Sequence, residues 1–271
     1  MTTHAPVRLL ALDMDGTLLR SDLTISPRNQ AAVAACLDRG ITVVLATGRF
    51  YTVAVPYCAY WPDRPIWIAA NNGAQLFAPG ESRPMLAWNI DLALAQEVLS
   101  WIDGRDITAR VYFTDTAVIN RPLDSLPRFV QLLAGKVRYE PNLAPAVTEP
   151  PAKISLLTES RAERIGLEAE VRKRWGDRLE ITGSEHTSIE LTAPGATKGE
   201  AIRALAERLG IDRRHVAAIG NARNDLAMVT WAGLGAAVAN AHEELLAAAP
   251  RVVAHHDEDG VGEFIESFLN D

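Results

Sequence analysis

Two aspartates one residue apart, Asp13 and Asp15, are the residues of this sequence best suited to chemistry. The apolar run at residues 7–12 is typical of a buried parallel strand, and Gly16-Thr17 predicts a loop after it. Reacting groups of α/β sheets gather in the crevice at the carboxyl ends of strands. Two carboxylates placed there repel one another and lose hydration, so they require a cation or a shared proton. The pair therefore predicts a reaction site, and the plainer alternative is a loop whose acids cap a helix or a turn.

Three more polar clusters fall where predicted strands end or where a predicted helix begins. They are Thr47-Gly48-Arg49, Lys198, and a turn that holds Asn221, Asn224 and Asp225. Taken singly, each has a structural explanation, as a strand-to-helix turn, a solvated lysine or a helix cap. A lysine in the first turn of a helix opposes the helix dipole, however, so Lys198 requires a partner. The placement of all the clusters on one edge of a sheet predicts a single site.

The elements that must position these residues alternate between short apolar runs and helical patterns. Ser26-Pro27 predicts the start of a helix that ends at Gly40, and Thr197 with Glu200 predicts a capping box for another helix. Strands are predicted at residues 7–12, 41–46, 66–70, 216–219, 235–238 and 252–254. This alternation predicts an α/β fold with a Rossmann-like, doubly wound and mostly parallel sheet.

The middle of the chain follows a different pattern. Helical patterns near residues 91–102 and 161–175 are mixed with β-rich runs at 108–119, 154–157 and 188–191. Helices and strands that do not alternate strictly indicate a separate α+β unit. We therefore predict two domains, namely a core formed by residues 1–82 and 189–271 and an inserted domain formed by residues 83–188.

Composition limits the classes of function. The chain has 271 residues, 48% of them hydrophobic, and a formal net charge of −7, which argues against binding to nucleic acid or anionic membranes. Cys36 and Cys58 cannot form a disulfide framework, and Cys36 is predicted to be a core residue. The uncharged run at residues 226–242 is too short for a membrane span, and no signal-peptide pattern is present. We expect a cytoplasmic protein, whose His255-His256 pair lies in an exposed loop rather than at a metal site.

Short motifs run through both predicted core segments in a fixed order. They are LDMDGTLL at 12–19, ATGR at 46–49, NNGA at 71–74, TKGEAI at 197–202, IGNARNDLAM at 219–228, AVANA at 237–241 and EDGVGEFIE at 258–266. Each motif alone is weak evidence. Together, at these intervals, they resemble the haloacid dehalogenase superfamily, specifically its Cof-like sugar-phosphatase branch with an inserted α+β cap of type C2.

The resemblance implies a magnesium-dependent phosphatase that hydrolyses small phosphate monoesters, such as sugar phosphates, through an aspartyl-phosphate. It implies Asp13 as the nucleophile and Asp15 as the general acid and base. Magnesium is implied at Asp13, the backbone carbonyl of Asp15 and the side chain of Asn221. Lys198 is implied to hold phosphate and to keep Asp13 ionised.

The remaining motif residues are implied to bind the substrate or to support the site. Thr47, Gly48 and Asn224 are implied to contact phosphate oxygens, and Asp225 to orient Lys198 or nearby waters. Arg49 either contacts the substrate or pairs with an acid. The inserted domain is implied to act as a cap that selects the substrate, and its sequence does not identify which ester that is.

Asn221 departs from the family, which usually has Asp at this position. An amide oxygen can bind magnesium but brings no charge, so weaker metal binding is expected. The neighbouring Arg223 either weakens binding further or pairs with Asp225 or the substrate. We favour a working enzyme with a high metal requirement; a phospho-ligand binding or regulatory protein, a deliberate alteration at this position and a sugar-phosphate mutase are the alternatives.

Overall fold

The protein forms two β-sheets with helices packed against them. The structure is a computed structural model that describes residues 5–121, 136–183 and 187–269. The strands are β1 (Leu9–Asp13), β2 (Thr42–Ala46), β3 (Ile66–Ala70), β4 (Gln75–Phe77), β5 (Leu86–Ala87), β6 (Thr108–Tyr112), β7 (Ala117–Ile119), β8 (Val137–Tyr139), β9 (Lys153–Leu157), β10 (Glu180–Thr182), β11 (Ser188–Thr192), β12 (Val216–Gly220), β13 (Leu234–Val238) and β14 (Val252–Val253).

The described α-helices are numbered in the same way. They are α1 (Pro27–Asp38), α2 (Tyr51–Ala54), α3 (Leu92–Asp103), α4 (Leu143–Ala146), α5 (Arg161–Trp175), α6 (Lys198–Arg208), α7 (Leu226–Trp231), α8 (Glu243–Ala248) and α9 (Gly260–Leu269). Within the described residues, none of these helices combines the length and the apolar character needed to cross a bilayer.

The first sheet has eight strands in the order β14-β13-β12-β1-β2-β3-β4-β5. The pairs from β14 to β3 are parallel, and β4 and β5 add antiparallel strands at one edge. Leu10 and Leu12 of β1 pack into the cluster that contains α1 and α9, whereas Leu9 and Ala11 pack into the cluster that contains α6 and α7. Helices therefore cover both faces, which confirms the predicted doubly wound α/β sheet and explains why its central strands are apolar throughout.

Local sequence signals set the helix ends near the site. Ser26 caps α1 by accepting a hydrogen bond from the amide of Asn29, and Gly40, just beyond the helix, has a φ of +73°. Thr197 caps α6 in the same way, through a 3.1 Å hydrogen bond from the amide of Glu200. The predicted helix starts are confirmed, and the second of them fixes Lys198 in the first turn of α6.

The second sheet has six strands in the order β10-β11-β9-β6-β7-β8, and only its β7–β8 pair is parallel among the described strands. Alternate residues such as Val111, Ile154 and Leu191 pack with α3 and α5 on one face. The run at 108–119 that the sequence predicts as β-rich is two strands. β5 belongs to the first sheet and β11 to the second, so sheet membership changes a few residues beyond the bounds predicted at 83 and 189. The division into two domains itself remains a prediction.

The cysteines and histidines are placed as follows. Cys36 is buried in the core as predicted, and Cys36 and Cys58 are both free thiols. The prediction of an exposed loop is wrong for His256, whose ring is buried and hydrogen-bonds through Nδ1 to the Leu19 carbonyl at 2.8 Å, because a short 3-10 turn folds it inward. Its potential ligand atoms lie within 4.8 Å of those of His255 and Asp257, a grouping that spacing did not predict.

Candidate active site

Polar residues that follow four central strands meet at one edge of the eight-stranded sheet. A cavity of about 480 Å³ opens between this edge and the six-stranded sheet. The predicted site residues on its wall are Asp13, Asp15, Gly48, Arg49, Lys198, Asn221 and Asn224. Residues that are up to 211 positions apart in sequence are therefore brought to one cavity.

A buried ion cluster forms the floor of this cavity. Lys198 Nζ lies 2.6 Å from Asp13 Oδ1 and 2.7 Å from Asp225 Oδ1, and all three side chains are nearly inaccessible to solvent. Asp225 Oδ2 accepts hydrogen bonds from the amides of Asn221 and Ala222, at 3.0 and 2.9 Å. Asp225 thus orients both Lys198 and the turn after β12, and Lys198 has the partners that its place at a helix start required.

Negative charge exceeds positive charge in this cluster, because two buried carboxylates share a single ammonium group. Burial and the adjacent Asp225 carboxylate raise the pKa of Asp13 to about 7, although Lys198 opposes that shift. Burial alone would lower the pKa of Lys198, but Asp13 and Asp225 raise it above its ordinary value. The imbalance favours a cation next to Asp13.

Thr17 completes the contacts of Asp13. The buried Thr17 hydroxyl donates a 2.6 Å hydrogen bond to Asp13 Oδ2, so each carboxylate oxygen has one protein partner. Sequence reasoning used Thr17 only as a sign of a loop. Its position four residues after Asp13, within a tight turn, was the available signal for this contact.

Asp15 is held by Arg49 in a bidentate ion pair. Arg49 Nε lies 2.8 Å from Asp15 Oδ2, and Arg49 Nη2 lies 2.5 Å from Oδ1. Burial opposes the guanidinium charge, but the hydrogen bonds that Arg49 donates to the Asp15 carboxylate, together with its negative charge, raise the pKa of Arg49 above its ordinary value. The Asp15 side chain is 50% exposed and the Arg49 side chain 7%. The sequence left two roles open for Arg49, a substrate contact or a pairing with an acid. The structure shows the pairing, with Asp15.

The turn after β2 presents its backbone to the cavity. Gly48 lies on the cavity wall, but Thr47 is fully buried and its hydroxyl accepts a 3.1 Å hydrogen bond from the Arg49 amide. Asn72 supports the turn by donating its backbone N–H to the Thr47 carbonyl at 2.9 Å. A phosphate contact by the Thr47 side chain therefore stays a prediction.

Asn72 also connects the turns across the cavity edge. Asn71, Asn72 and Gly73 have positive φ angles of 51°, 61° and 87°, a conformation that Asn and Gly tolerate best. Asn224 Nδ2 donates to Asn72 Oδ1 at 3.0 Å, and Asn224 Oδ1 is buried without a partner among the described residues. One N–H of the Asn224 amide is thus taken by Asn72, and the phosphate contact of Asn224 stays a prediction.

Asn221 lies against the loop that follows β1. Gly16 has a φ of +73°, and a Cβ there would stand 2.3 Å from Asn221 Nδ2. The Asn221 side chain makes no hydrogen bond within the part of the chain that the structure describes. Arg223 pairs with Glu244 at 2.8 Å, so the suggested pairing of Arg223 with Asp225 is wrong. Asp225 is fully buried and accepts instead from Lys198 and two backbone amides.

The six-stranded sheet supplies a second wall that sequence reasoning missed. Lys153 Nζ donates to the Gly48 carbonyl at 2.6 Å and lies 2.7 Å from Glu190 Oε1, while Asn72 Nδ2 donates to Glu190 Oε2 at 2.5 Å. Burial alone would raise the pKa of Glu190, but Lys153 and Asn72 hold it below its ordinary value. The available signal was the alternation of polar and apolar residues along β6, β9 and β11.

Comparisons with known proteins agree with this geometry. A model of the haloacid dehalogenase-like hydrolase family matches residues 10–265. The chain is 28% identical to phosphatase YwpJ from Bacillus subtilis over 97% of this chain and 100% of that protein. It is 27% identical to the HMP-PP phosphatase of Serratia proteamaculans, over 97% and 95% of the two chains.

A solved structure gives the same result for the fold. A haloacid dehalogenase-like hydrolase from Bacillus subtilis superposes with a TM-score of 0.86 at 25% identity, over 96% of this chain and 99% of that one. The family match, the relatives and the site geometry lead to one conclusion. The chain belongs to the haloacid dehalogenase-like hydrolases and is one of the phosphatases of that family.

Proposed function

We propose that this protein is a magnesium-dependent phosphatase that hydrolyses small phosphate monoesters through a phosphorylated Asp13. The observation that carries the proposal is the buried Asp13–Lys198–Asp225 cluster, which lies on the cavity floor with Asp15 on the adjoining wall. The carboxylate of Asp13 is held by one donor on each oxygen, as an oriented nucleophile requires.

The residues at the cavity edge fit a magnesium ion. The Asp13 carboxylate, the Asp15 carbonyl and the Asn221 amide oxygen are the hard oxygen ligands that magnesium prefers, and the Asn221 side chain has no competing partner within the described residues. The carboxylates of the floor exceed its ammonium groups, so a cation is favoured there. When bound, magnesium supplies the positive charge that offsets repulsion between Asp13 and a phosphate dianion.

The first half of the reaction transfers the phosphoryl group to the protein. A carboxylate oxygen of Asp13 attacks phosphorus and the bond from phosphorus to the ester oxygen breaks. Asp15, which leaves its pairing with Arg49 and takes up a proton from solvent before this step, gives that proton to the ester oxygen. Lys198 stabilises the negative charge of Asp13 and of the phosphoryl oxygens. In this proposal the Gly48 amide, in the turn held by Lys153 and Asn72, donates to a phosphoryl oxygen.

The second half regenerates Asp13. Asp15, now a carboxylate, accepts a proton from water as the water oxygen attacks phosphorus, and the bond to Asp13 breaks to release phosphate. The Asp15 side chain is half exposed and exchanges protons with solvent between turnovers. When Asp15 is ionised, its ion pair with Arg49 holds the side chain in one orientation.

The size of the cavity supports small substrates. About 480 Å³ is at the lower end of the volumes that enclose small molecules, and the six-stranded sheet forms one wall, as a substrate-selecting cap would. Relatives of this chain are named for HMP-PP and pyridoxal phosphate. The free state of both cysteines supports a cytoplasmic location.

Phosphate release with added magnesium from p-nitrophenyl phosphate and a panel of sugar phosphates tests the proposal, with Asp13→Asn as the control. We expect turnover by the unaltered protein and loss of at least a thousandfold in the variant. Tight binding of phosphorylated ligands without turnover by either protein would support a regulatory role instead. Transfer to an added sugar faster than phosphate release would support a mutase.

A further inference from the structure

The cavity wall carries four cationic side chains, and they differ in their partners. Arg49 pairs with Asp15, Lys153 with Glu190 and Lys198 with Asp13 and Asp225. Arg110, on β6, makes no ion pair with any residue that the structure describes. Its Nη1 reaches only the Tyr112 hydroxyl, at 3.5 Å, and its Nε is buried without a partner. A partly buried guanidinium without a carboxylate is costly unless a ligand completes it.

The register of the six-stranded sheet places Arg110 on the cavity wall next to the row of Tyr112 and Lys153. Tyr112 is the cross-strand partner of Lys153, whose Nζ donates to the Gly48 carbonyl. The Tyr112 ring lies 6.0 Å from the ring of Phe50, which precedes α2 in the eight-stranded sheet's segment. Arg110 is two residues before Tyr112 on the same face of β6. One pleat repeat is about 7 Å, so the Cα atom of Arg110 lies about that far along the strand from the Cα atom of Tyr112.

Neighbouring groups do not neutralise Arg110. Ser155 lies opposite it on β9, and Glu190 opposite Ser155 on β11, so the three occupy one cross-strand row. The Glu190 carboxylate is taken by Lys153, Ser155 and Asn72. Among the described residues, Arg110 is therefore the cationic side chain of the cavity wall that has no carboxylate partner, and its planar guanidinium can bind a second oxyanion through two N–H donors.

We propose that Arg110 selects phosphate monoesters that carry a second anionic group, a carboxylate or another phosphate, at the end remote from the transferred phosphoryl group. This inference rests on the proposed phosphatase function and narrows its substrates. The second anion pairs with Arg110 while the transferred phosphoryl group lies near Asp13, Gly48 and Lys198. Neutral sugar phosphates of the same length leave Arg110 uncompensated and bind less well.

A matched pair of substrates tests the inference. 6-Phosphogluconate and sorbitol 6-phosphate differ only in a carboxylate or a hydroxymethyl group at the end remote from the phosphate. A charged hydrogen-bonded pair changes affinity by about 10- to 100-fold, so we expect the unaltered protein to favour 6-phosphogluconate by about tenfold or more in kcat/KM. Fructose 1,6-bisphosphate against fructose 6-phosphate tests a second phosphate in the same way.

The decisive readout is the ratio of the two kcat/KM values. Arg110→Gln should lower that ratio by about tenfold, with Arg110→Lys in between. A loss caused by misfolding lowers both rates and leaves the ratio unchanged. The control Arg138→Gln removes an arginine of the same sheet that pairs with Glu140 outside the cavity, and it should leave the ratio as it is.

The outcomes separate this inference from the proposed function. Equal use of both anionic and neutral substrates by the unaltered protein, or an unchanged ratio in Arg110→Gln, overturns the role of Arg110 and leaves the phosphatase intact. If no phosphate ester is hydrolysed, the proposed function is wrong. Calorimetric binding of 6-phosphogluconate and sorbitol 6-phosphate then decides the role of Arg110, since a preference that Arg110→Gln abolishes supports it and equal affinities reject it.

Discussion

Asn221 lies on the wall of the same cavity as Asp13 and Asp15. The charge of the side chain at position 221 decides how strongly a cation is held there. Replacing Asn221 with Asp adds a negative charge at the proposed magnesium ligand. We expect Asn221→Asp to lower the magnesium concentration for half-maximal phosphate release by about tenfold, and to raise activity at low magnesium. Asn221→Ala, which removes the ligand, should shift the requirement in the opposite direction. If Asn221→Asp changes neither turnover nor metal dependence, residue 221 does not bind the metal.

Lys198 is the single ammonium between two buried carboxylates. Lys198→Met keeps the length of the side chain but leaves Asp13 and Asp225 without their cation, which should cost about 3–5 kcal/mol of unfolding free energy and abolish turnover. Urea denaturation gives the first quantity and phosphate release the second. Lys173→Met on the exposed face of α5 is the matched control and should change stability by no more than about 0.5 kcal/mol.

A second substitution distinguishes lost charge pairing from lost packing. In the double variant Lys198→Met/Asp225→Asn, one unpaired charge is removed, so part of the stability should return while activity stays absent. Equal stability of the single and double variants would contradict the assignment of Lys198 as the counter-ion of Asp225.

At the scale of the elements, tight turns after the strands determine where the side chains lie. Gly16 and Gly40 share a φ of +73°, but a Cβ at Gly16 meets Asn221 at 2.3 Å, whereas a Cβ at Gly40 meets nothing within 4 Å. Alanine at either position should cost about 1–2 kcal/mol of backbone strain. We expect Gly16→Ala alone to raise the magnesium requirement as well, because it displaces Asn221. An equal magnesium requirement in both variants would show that Gly16 has no role beyond its backbone.

The apolar runs and the motifs predicted the central strands, and with them the edge where Asp13, Lys198 and Asp225 meet. They did not predict Asn72 as a bridge, because its role depends on the left-handed conformation of Asn71, Asn72 and Gly73. Alternation along β6, β9 and β11 indicates a polar face, but periodicity alone does not tell what that face lies against. Lys153, Glu190 and Arg110 therefore became site candidates only when the two sheets were seen together.

At the scale of the whole molecule, the two sheets are joined by a buried polar link. Lys153 and Glu190 of the six-stranded sheet bond to Gly48 and Asn72 of the eight-stranded sheet, and both side chains are less than a tenth exposed. Removing one partner of a buried pair costs far more than removing one partner of an exposed pair. The link thus holds the wall of the cavity against the turn that contains Thr47 and Gly48.

We expect Glu190→Gln to lower the free energy of unfolding by about 3–5 kcal/mol and to raise KM, because Lys153 loses its carboxylate. Glu266→Gln, which affects the exposed pair with Arg28, is the control and should cost about 0–1 kcal/mol. A loss in Glu190→Gln no larger than that of the control would contradict a buried link between the sheets.

The stability lost in Glu190→Gln should also depend on pH. The pKa of Glu190 is lowered from its ordinary value of 4.5 in the folded protein. Its stabilisation is therefore complete above about pH 4.5 and is lost as the pH falls through the lower, folded-state pKa. Urea denaturation of both proteins should show a constant difference above about pH 4.5, which shrinks at lower pH. A difference that grows on acidification would contradict this sign.

The most direct test of the account is to trap the phosphorylated protein. Acid quenching during turnover of p-nitrophenyl phosphate with magnesium, followed by peptic digestion at low pH, where an acyl phosphate survives, isolates peptides that contain Asp13 and Asp15. We predict that mass spectrometry finds a phosphoryl group on Asp13 in the unaltered protein and none in Asp13→Asn. A phosphoryl group on any other residue, or sustained hydrolysis by Asp13→Asn, would contradict the account.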